Sequence, residues 1–242
     1  MLLRIIGGIA AIAAVVGASV MLWPSKSAGG HVASCERRPL EVVIVGASYT
    51  AGVGPGNPAE SWAGLLTRDL HANAVVYGVP GAGYVRQGYG HRGPVIAELE
   101  HIDLPSVDPE LVIVQAGHND IGVPLALERR QVTEAIDLIR DEAPRAKIAL
   151  VTVFTKRSPS QAAYRTDHAI VSAATAADRG VIIMDPLTQG WRFGRVRDGL
   201  HPSVAGSHWL ASTVEHALRT NDATSLSGKC APASSQKRPR SA

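Results

Sequence analysis

Five short runs of apolar, largely β-branched residues recur along this chain, and longer amphipathic stretches separate most of them. They are VVIVGA at 42–47, AVVYGV at 74–79, ELVIVQAG at 110–117, KIALVTVFT at 147–155 and VIIMD at 181–185. A strand with one wet face alternates apolar and polar residues. Runs with little alternation belong to strands buried on both faces, which a parallel sheet between two helical layers provides. The intervening segments fit such layers. Residues 59–72 place Trp62, Leu65, Leu66 and Leu70 on one helical face, and Leu125–Ala143 turns Leu127, Ile136 and Ile139 inward. Gln161–Arg179 reads as a further helix, and Ser203–Leu218 as the last, with Ser203 as its N-cap. The expected fold is α/β: a three-layer α/β/α doubly wound domain on a five-stranded parallel sheet. At 242 residues the chain is long enough for one well-buried domain and short for two. One connection, 80–108, is long and glycine-rich (PGAGYVRQGYGHRGP), and loops of that length are usually functional.

The ends differ from the body. Arg4 precedes Ile5–Trp23, nineteen residues without a charge, and Pro24 with the linker SKSAGG follows. That run exceeds the roughly 7–15 residues of a signal-peptide core and just reaches bilayer-spanning length. A positive residue before it favours export of what comes after. Residues 1–34 are therefore expected to be a signal peptide or membrane anchor with its linker, and 35–221 the folded domain. Residues 222–242, rich in Ser, Pro, Lys and Arg, are expected to be a disordered basic tail. The domain would work outside the cytoplasm, secreted or held to the envelope by residues 5–23, with the membrane a partner only if that segment is kept.

Charge follows the same division. The formal balance is +3, but the tail carries three net positive charges and the first 34 residues two, so the body keeps −2. That removes the electrostatic case for nucleic-acid binding. Cys35 and Cys230 bracket the domain. In an oxidising compartment they are expected to form a disulfide, worth about 2–5 kcal/mol in the chain-entropy account. VASC at 32–35 resembles a lipobox but lies too far beyond the apolar run, and no zinc-ligand spacing is present.

In doubly wound sheets, ligands bind beyond the carboxyl ends of the strands. Strand one delivers Ser48 there, strand two Gly81, and strand three the run Gly117-His118-Asn119-Asp120. The connection after strand five leads to Asp198 and His201. A hydroxyl, an imidazole, a carboxylate and hydrogen-bond donors are the parts of a serine hydrolase. Each residue also has a plain alternative. Ser48 beside glycines suits a turn, Gly81 a positive φ, Asn119 and Asp198 turn hydrogen bonds, and His201 solvent. A phosphate loop lacks its G-x-G-x-x-G or G-x-x-x-x-G-K-[ST] pattern, and the G-x-S-x-G elbow fails at Thr50. A metallophosphoesterase would want a carboxylate at the end of strand one, where Ala47-Ser48 stand. A non-catalytic envelope binder would have no need of Ser, Asn, Asp and His together.

Four blocks in order, VGASYTAG, GVPGAG, GHND and DGLHPS, resemble the SGNH (GDSL-like) hydrolase family across roughly residues 40–220. The resemblance implies a flavodoxin-like SGNH fold and a carboxylesterase or lipase-like activity without metal or organic cofactor. It implies Ser48 as nucleophile, His201 as base, Asp198 as the residue that orients His201, and an oxyanion hole from Ser48, Gly81 and Asn119. Block one departs from the family, with Ala47 where Asp is usual and Tyr49 where Leu is common. Block two has Tyr77-Gly78 where an Asn is often found. His118, Asp120 and His208 are expected to support the site, and the glycines after Ser48 to form a hinge that exposes it. Tyr84, Tyr89 and Trp191 are expected either to shape an acyl or sugar pocket or simply to pack. The expected substrate is a lipid, glycan or small-molecule ester, with glycan O-acyl hydrolysis or acyl transfer as the runner-up.

Overall fold

The computed structural model describes residues 38–156 and 158–224. Strands β1 (Glu41–Gly46), β2 (Asn73–Gly78), β3 (Leu111–Gln115), β4 (Lys147–Val151) and β5 (Ile182–Met184) form one sheet, every pair parallel, in the order β2-β1-β3-β4-β5. Helices α1 (Trp62–Asp69), α2 (Val95–Glu100), α3 (Leu104–Val107), α4 (Leu125–Glu142), α5 (Gln161–Ala177) and α6 (Val204–Thr220) fill the connections. The expected three-layer α/β/α fold is the one observed.

The unalternating strands owe their pattern to two cores. Val43, Val45, Val112, Val114, Ile148 and Leu150 point to the face covered by α2, α4 and α5, against Leu99, Val132, Ile136, Ile139 and Ile170. Their neighbours Val42, Ile44, Leu111, Ile113, Ala149 and Val151 point to the face covered by α1 and α6, against Trp62, Leu65, Leu66, Leu210 and Val214. Truncating one of these buried aliphatics to Ala costs about 2–5 kcal/mol. Strand β2 is one of the two edge strands and leaves Val75 and Val76 exposed. The serines that open the helices fix their starts. Ser61, Ser160 and Ser203 accept the N–H of Gly64, Ala163 and Gly206 at 3.0, 3.2 and 3.2 Å.

Two expectations need correction in detail. The fourth strand stops at Val151, and residues 152–155 leave the sheet as a buried connection. The 80–108 connection also folds α2 and α3 within itself, because VIAELE and LPSV place Val95, Leu99 and Leu104 in the core. The Cys35–Cys230 pair, the apolar run 5–23 and the tail beyond Thr224 lie outside the described residues. Among the described residues no helix is long and apolar enough to cross a membrane.

The strand order reverses between β1 and β3: the chain leaves β1 toward β2 on one side and returns to β3 on the other. That switch point opens a crevice at the carboxyl ends of β1 and β3, and Ser48 and Asn119 lie just past those ends.

Candidate active site

Past Gly46 the chain coils into tight turns, with Ala51 N–H on Ala47 O at 3.0 Å and Val53 N–H on Ser48 O at 2.9 Å. Tyr49 and Thr50 are buried beneath, while Ser48 keeps partial exposure. The turn sits close against its neighbours. A Cβ at Gly78 would stand 2.5 Å from Ala51 N, and one at Gly46 would stand 2.6 Å from Gln115 O. Gly54 corrects the expected hinge. It has φ +113°, and a Cβ there would stand 2.2 Å from Pro202 O and 3.2 Å from His201 Cβ. This glycine is the point of close approach at which the serine turn packs on the histidine loop.

Asp198, His201 and Ser48 form one hydrogen-bonded line. Because the Asp198 carboxylate only accepts, the His201 proton sits on Nδ1 and is donated to Asp198 Oδ2 at 2.6 Å. His201 Nε2 then faces the Ser48 hydroxyl at 2.9 Å. The other Asp198 oxygen accepts the backbone N–H of Leu200 at 2.7 Å and of His201 at 2.9 Å, which sets the loop. The His201 hydrogen bond, helped by these amides, holds the Asp198 carboxyl down at about 2. The imidazole side chain is 17% exposed and the carboxylate 46%.

The candidate donors lie on the neighbouring loops. Pro80-Gly81 are the central residues of a type II turn, closed by Ala82 N–H on Val79 O at 3.0 Å, with Gly81 at φ +82°. Gly81 therefore answers to its plain alternative while still presenting its amide. Neither the Ser48 nor the Gly81 N–H has a protein acceptor among the described residues. Asn119 Nδ2 donates to Ala82 O at 2.6 Å, which ties the third block to the second and leaves its other amide proton unspent.

Support comes from residues of the same motifs. Asp120 is fully buried and accepts three successive backbone amides, from Tyr84 at 2.7, Val85 at 3.2 and Arg86 at 3.1 Å. Gly83 allows this, since a Cβ there would stand 2.0 Å from Asp120 Oδ2. His118 Nδ1 donates to Phe154 O at 2.6 Å, and burial holds its imidazole below the usual range. His208 stands apart, exposed and 4.0 Å from Glu60. Among the expected aromatics, Tyr84 is core, Tyr89 is 77% exposed, and Trp191 packs edge-on to Trp209 at 5.8 Å.

Three contributors were not among the expected site residues. Glu98 of α2 accepts the Gly46 N–H at 3.2 Å, and burial pushes its carboxyl up to about 8. It reaches the serine turn from below, in a loop where Ala47 replaces the usual acid. Tyr49 donates to Leu200 O at 2.6 Å, stacks on Phe154 at 4.2 Å and meets the His201 ring at 5.6 Å. It thereby joins the serine turn to the histidine loop. Its departure from the common Leu was the one available signal. Arg195 lies in an antiparallel bridge with Pro202, and Val196 N–H donates to His201 O at 3.0 Å. Among the described residues no cluster of three or more His, Cys, Asp or Glu side chains is arranged to hold a metal ion.

The sequence profile of the GDSL-like Lipase/Acylhydrolase family matches residues 44–209. Among solved structures, the chain is similar to a family two carbohydrate esterase from Clostridium thermocellum in complex with cellohexaose. The two are 17% identical with a TM-score of 0.60, over 77% of this chain and 66% of that one. It is similar to TesA, 21% identical with a TM-score of 0.60, over 74% of this chain and 98% of that one. A lipolytic protein of the G-D-S-L family from Desulfitobacterium hafniense DCB-2 is 17% identical with a TM-score of 0.57, over 73% and 98%. At these identities the likeness establishes a shared fold. No curated protein matches the chain.

Proposed function

The chain belongs to the GDSL-like Lipase/Acylhydrolase family, and from that premise we propose that it is an exported serine esterase cleaving carboxylic esters of lipids or of short or medium acyl groups. The observation that carries this reading is the unbroken line from Asp198 through His201 to the Ser48 hydroxyl. A serine hydroxyl is a weak nucleophile until a base takes its proton. His201 Nε2 takes it as Oγ attacks the carbonyl, and Asp198 stabilises the imidazolium. The carbonyl oxygen becomes an oxyanion facing the Ser48 and Gly81 amides and the free Asn119 N–H. The His201 proton passes to the departing alkoxide, which leaves as the alcohol. Water then attacks the acyl-serine by the same relay and releases the acid. Losing one oxyanion donor costs on the order of 10²–10³ in kcat. The export half of the reading rests on Ile5–Trp23.

A second reading, deacylation of a glycan, is favoured by one observation. Phe193 stacks on Trp209 with ring centroids 6.1 Å apart and Trp191 meets Trp209 edge-on at 5.8 Å, and aromatic faces suit sugar rings. The carbohydrate esterase likeness agrees with it.

The test is hydrolysis of p-nitrophenyl esters from acetyl to palmitoyl by the full-length chain and by Ser48→Ala, with and without chelator. Activity lost in the variant and indifferent to chelator is the expected result. Equal rates in both forms would remove Ser48 from the chemistry. If both forms fold and neither acts, acetylated glycans become the substrates to try.

A further inference from the structure

Beside the triad, between the β4–α5 and β5–α6 connections, lies a cavity of about 420 Å³. It adjoins the reacting groups through shared walls. Phe154 on its lining stacks on Tyr49, the residue after Ser48, and Arg195 pairs with Pro202, the residue after His201.

The chemistry of its lining is one-sided. Lys156, Arg192 and Arg195 face it, and no Asp or Glu does. Among the described residues none of the three is paired with a carboxylate. This is not general basicity, because the 35–221 body carries −2 overall. Asp185, just below the cavity, spends its oxygens on Leu187 N–H, Thr188 N–H and the Thr188 hydroxyl.

Arg195 is the fixed member. Its guanidinium lies 4.1 Å over the Phe193 ring, and Nη2 donates to Thr155 O at 3.2 Å. Its Nε is buried without a hydrogen-bond partner. A planar guanidinium held on an aromatic ring is suited to the two oxygens of a carboxylate or phosphate. Trp191 and Phe154 add flat apolar walls for the carbon skeleton that bears such a group.

We propose that this cavity binds an anionic group, a carboxylate or a phosphate, carried by the ester whose carbonyl is presented to Ser48, so that anionic esters are the preferred substrates. The proposal rests on the esterase reading above for its link to turnover, and on the cavity itself for binding.

The test compares three acetyl esters with the full-length chain: 4-acetoxybenzoate, 4-acetoxyphenyl phosphate and the neutral methyl 4-acetoxybenzoate. Each kcat/KM is divided by the ester's spontaneous alkaline rate. At least one anion should exceed the neutral ester by about tenfold, a margin that added salt reduces. A preference for the carboxylate or for the phosphate identifies the source. Arg195→Gln should lower the ratio, and Lys156→Glu and Arg192→Glu, both at exposed rim positions, should each lower it roughly tenfold if Arg195→Gln fails to fold. Equal or neutral-preferring rates would overturn the proposal. Calorimetric titration of Ser48→Ala with 4-hydroxybenzoate and phenyl phosphate separates the two claims. Saturable binding lost in Arg192→Glu supports the cavity even if Ser48 proves dispensable. Ser48-dependent hydrolysis with neither preference nor binding sinks the cavity alone.

Discussion

Asp198 and Glu128 are both acids near the crevice, and the protein treats them in opposite ways. Asp198 lies on a loop with 46% of its side chain in water, satisfied by His201 and two backbone amides, and its carboxyl is held down at about 2. Glu128 lies on α4 fully buried, neither oxygen has a partner, and burial with the nearby Asp120 pushes its carboxyl from 4.5 up to about 9. Asp120 stands between them in kind: buried, yet gripping three amides, with burial as the main force raising its carboxyl. The difference separates chemistry from architecture. In the proposed mechanism Asp198 has to stay charged beside an imidazolium, and it is kept wet and surrounded by donors. The buried acids shape the wall behind the donors instead.

The largest break in that comparison is Asp198→Asn. Removing the charge that orients His201 should lower kcat about 10³–10⁴-fold, while thermal unfolding stays near wild type because the loop is exposed. The deficit should be flat above the ordinary carboxylate range. A depressed group is fully charged there, and its contribution fades only as pH falls through about 2. A kcat within tenfold of wild type would assign the orienting role elsewhere. Asp120→Ala should behave in the opposite sense. It strands three amides, Tyr84 N–H among them in the core, and should cost about 2–4 kcal/mol of stability. Activity should fall with it, since the 81–86 loop carries the Gly81 amide. Full activity at unchanged stability would remove Asp120 from the architecture.

How much of this was legible follows from which forces are local. Strands β1, β3 and β4 were readable because burial on both faces forbids alternation, and Ser203 because capping is a one-turn interaction; the apolar run of β2 sits on an edge strand with Val75 and Val76 exposed. Ser48 and Asn119 were placed together because a doubly wound sheet brings the ends of β1 and β3 side by side, Asp198 and His201 were picked out by the DGLHPS block, and the structure joins Ser48, His201 and Asp198 by hydrogen bonds. What escaped depends on contacts distant in sequence. Glu98 meets Gly46 across 52 positions, Tyr49 meets Leu200 across 151, and Arg195 meets Thr155 across 40. No spacing rule encodes such pairs. The role of Gly54 escaped for the same reason, because the neighbour that makes it necessary, Pro202, comes from the far end of the domain.

The smallest and most discriminating effect belongs to Glu128→Gln. Between pH 4.5 and about 9 the folded chain holds a proton on Glu128 that the unfolded chain has released. Stability therefore falls as pH rises through that window, by an amount that vanishes at its acid end. Glutamine keeps the shape of the protonated acid and cannot ionise. It should leave the melting temperature near or slightly below wild type at pH 4.5, where both chains hold a neutral side chain. It should raise it relative to wild type at pH 8.5, by a margin that grows steadily from pH 4.5 upward. Parallel melting curves for the two proteins across that range would mean that Glu128 ionises freely in the fold. The contrast with Asp198 would then lie in position alone, not in charge.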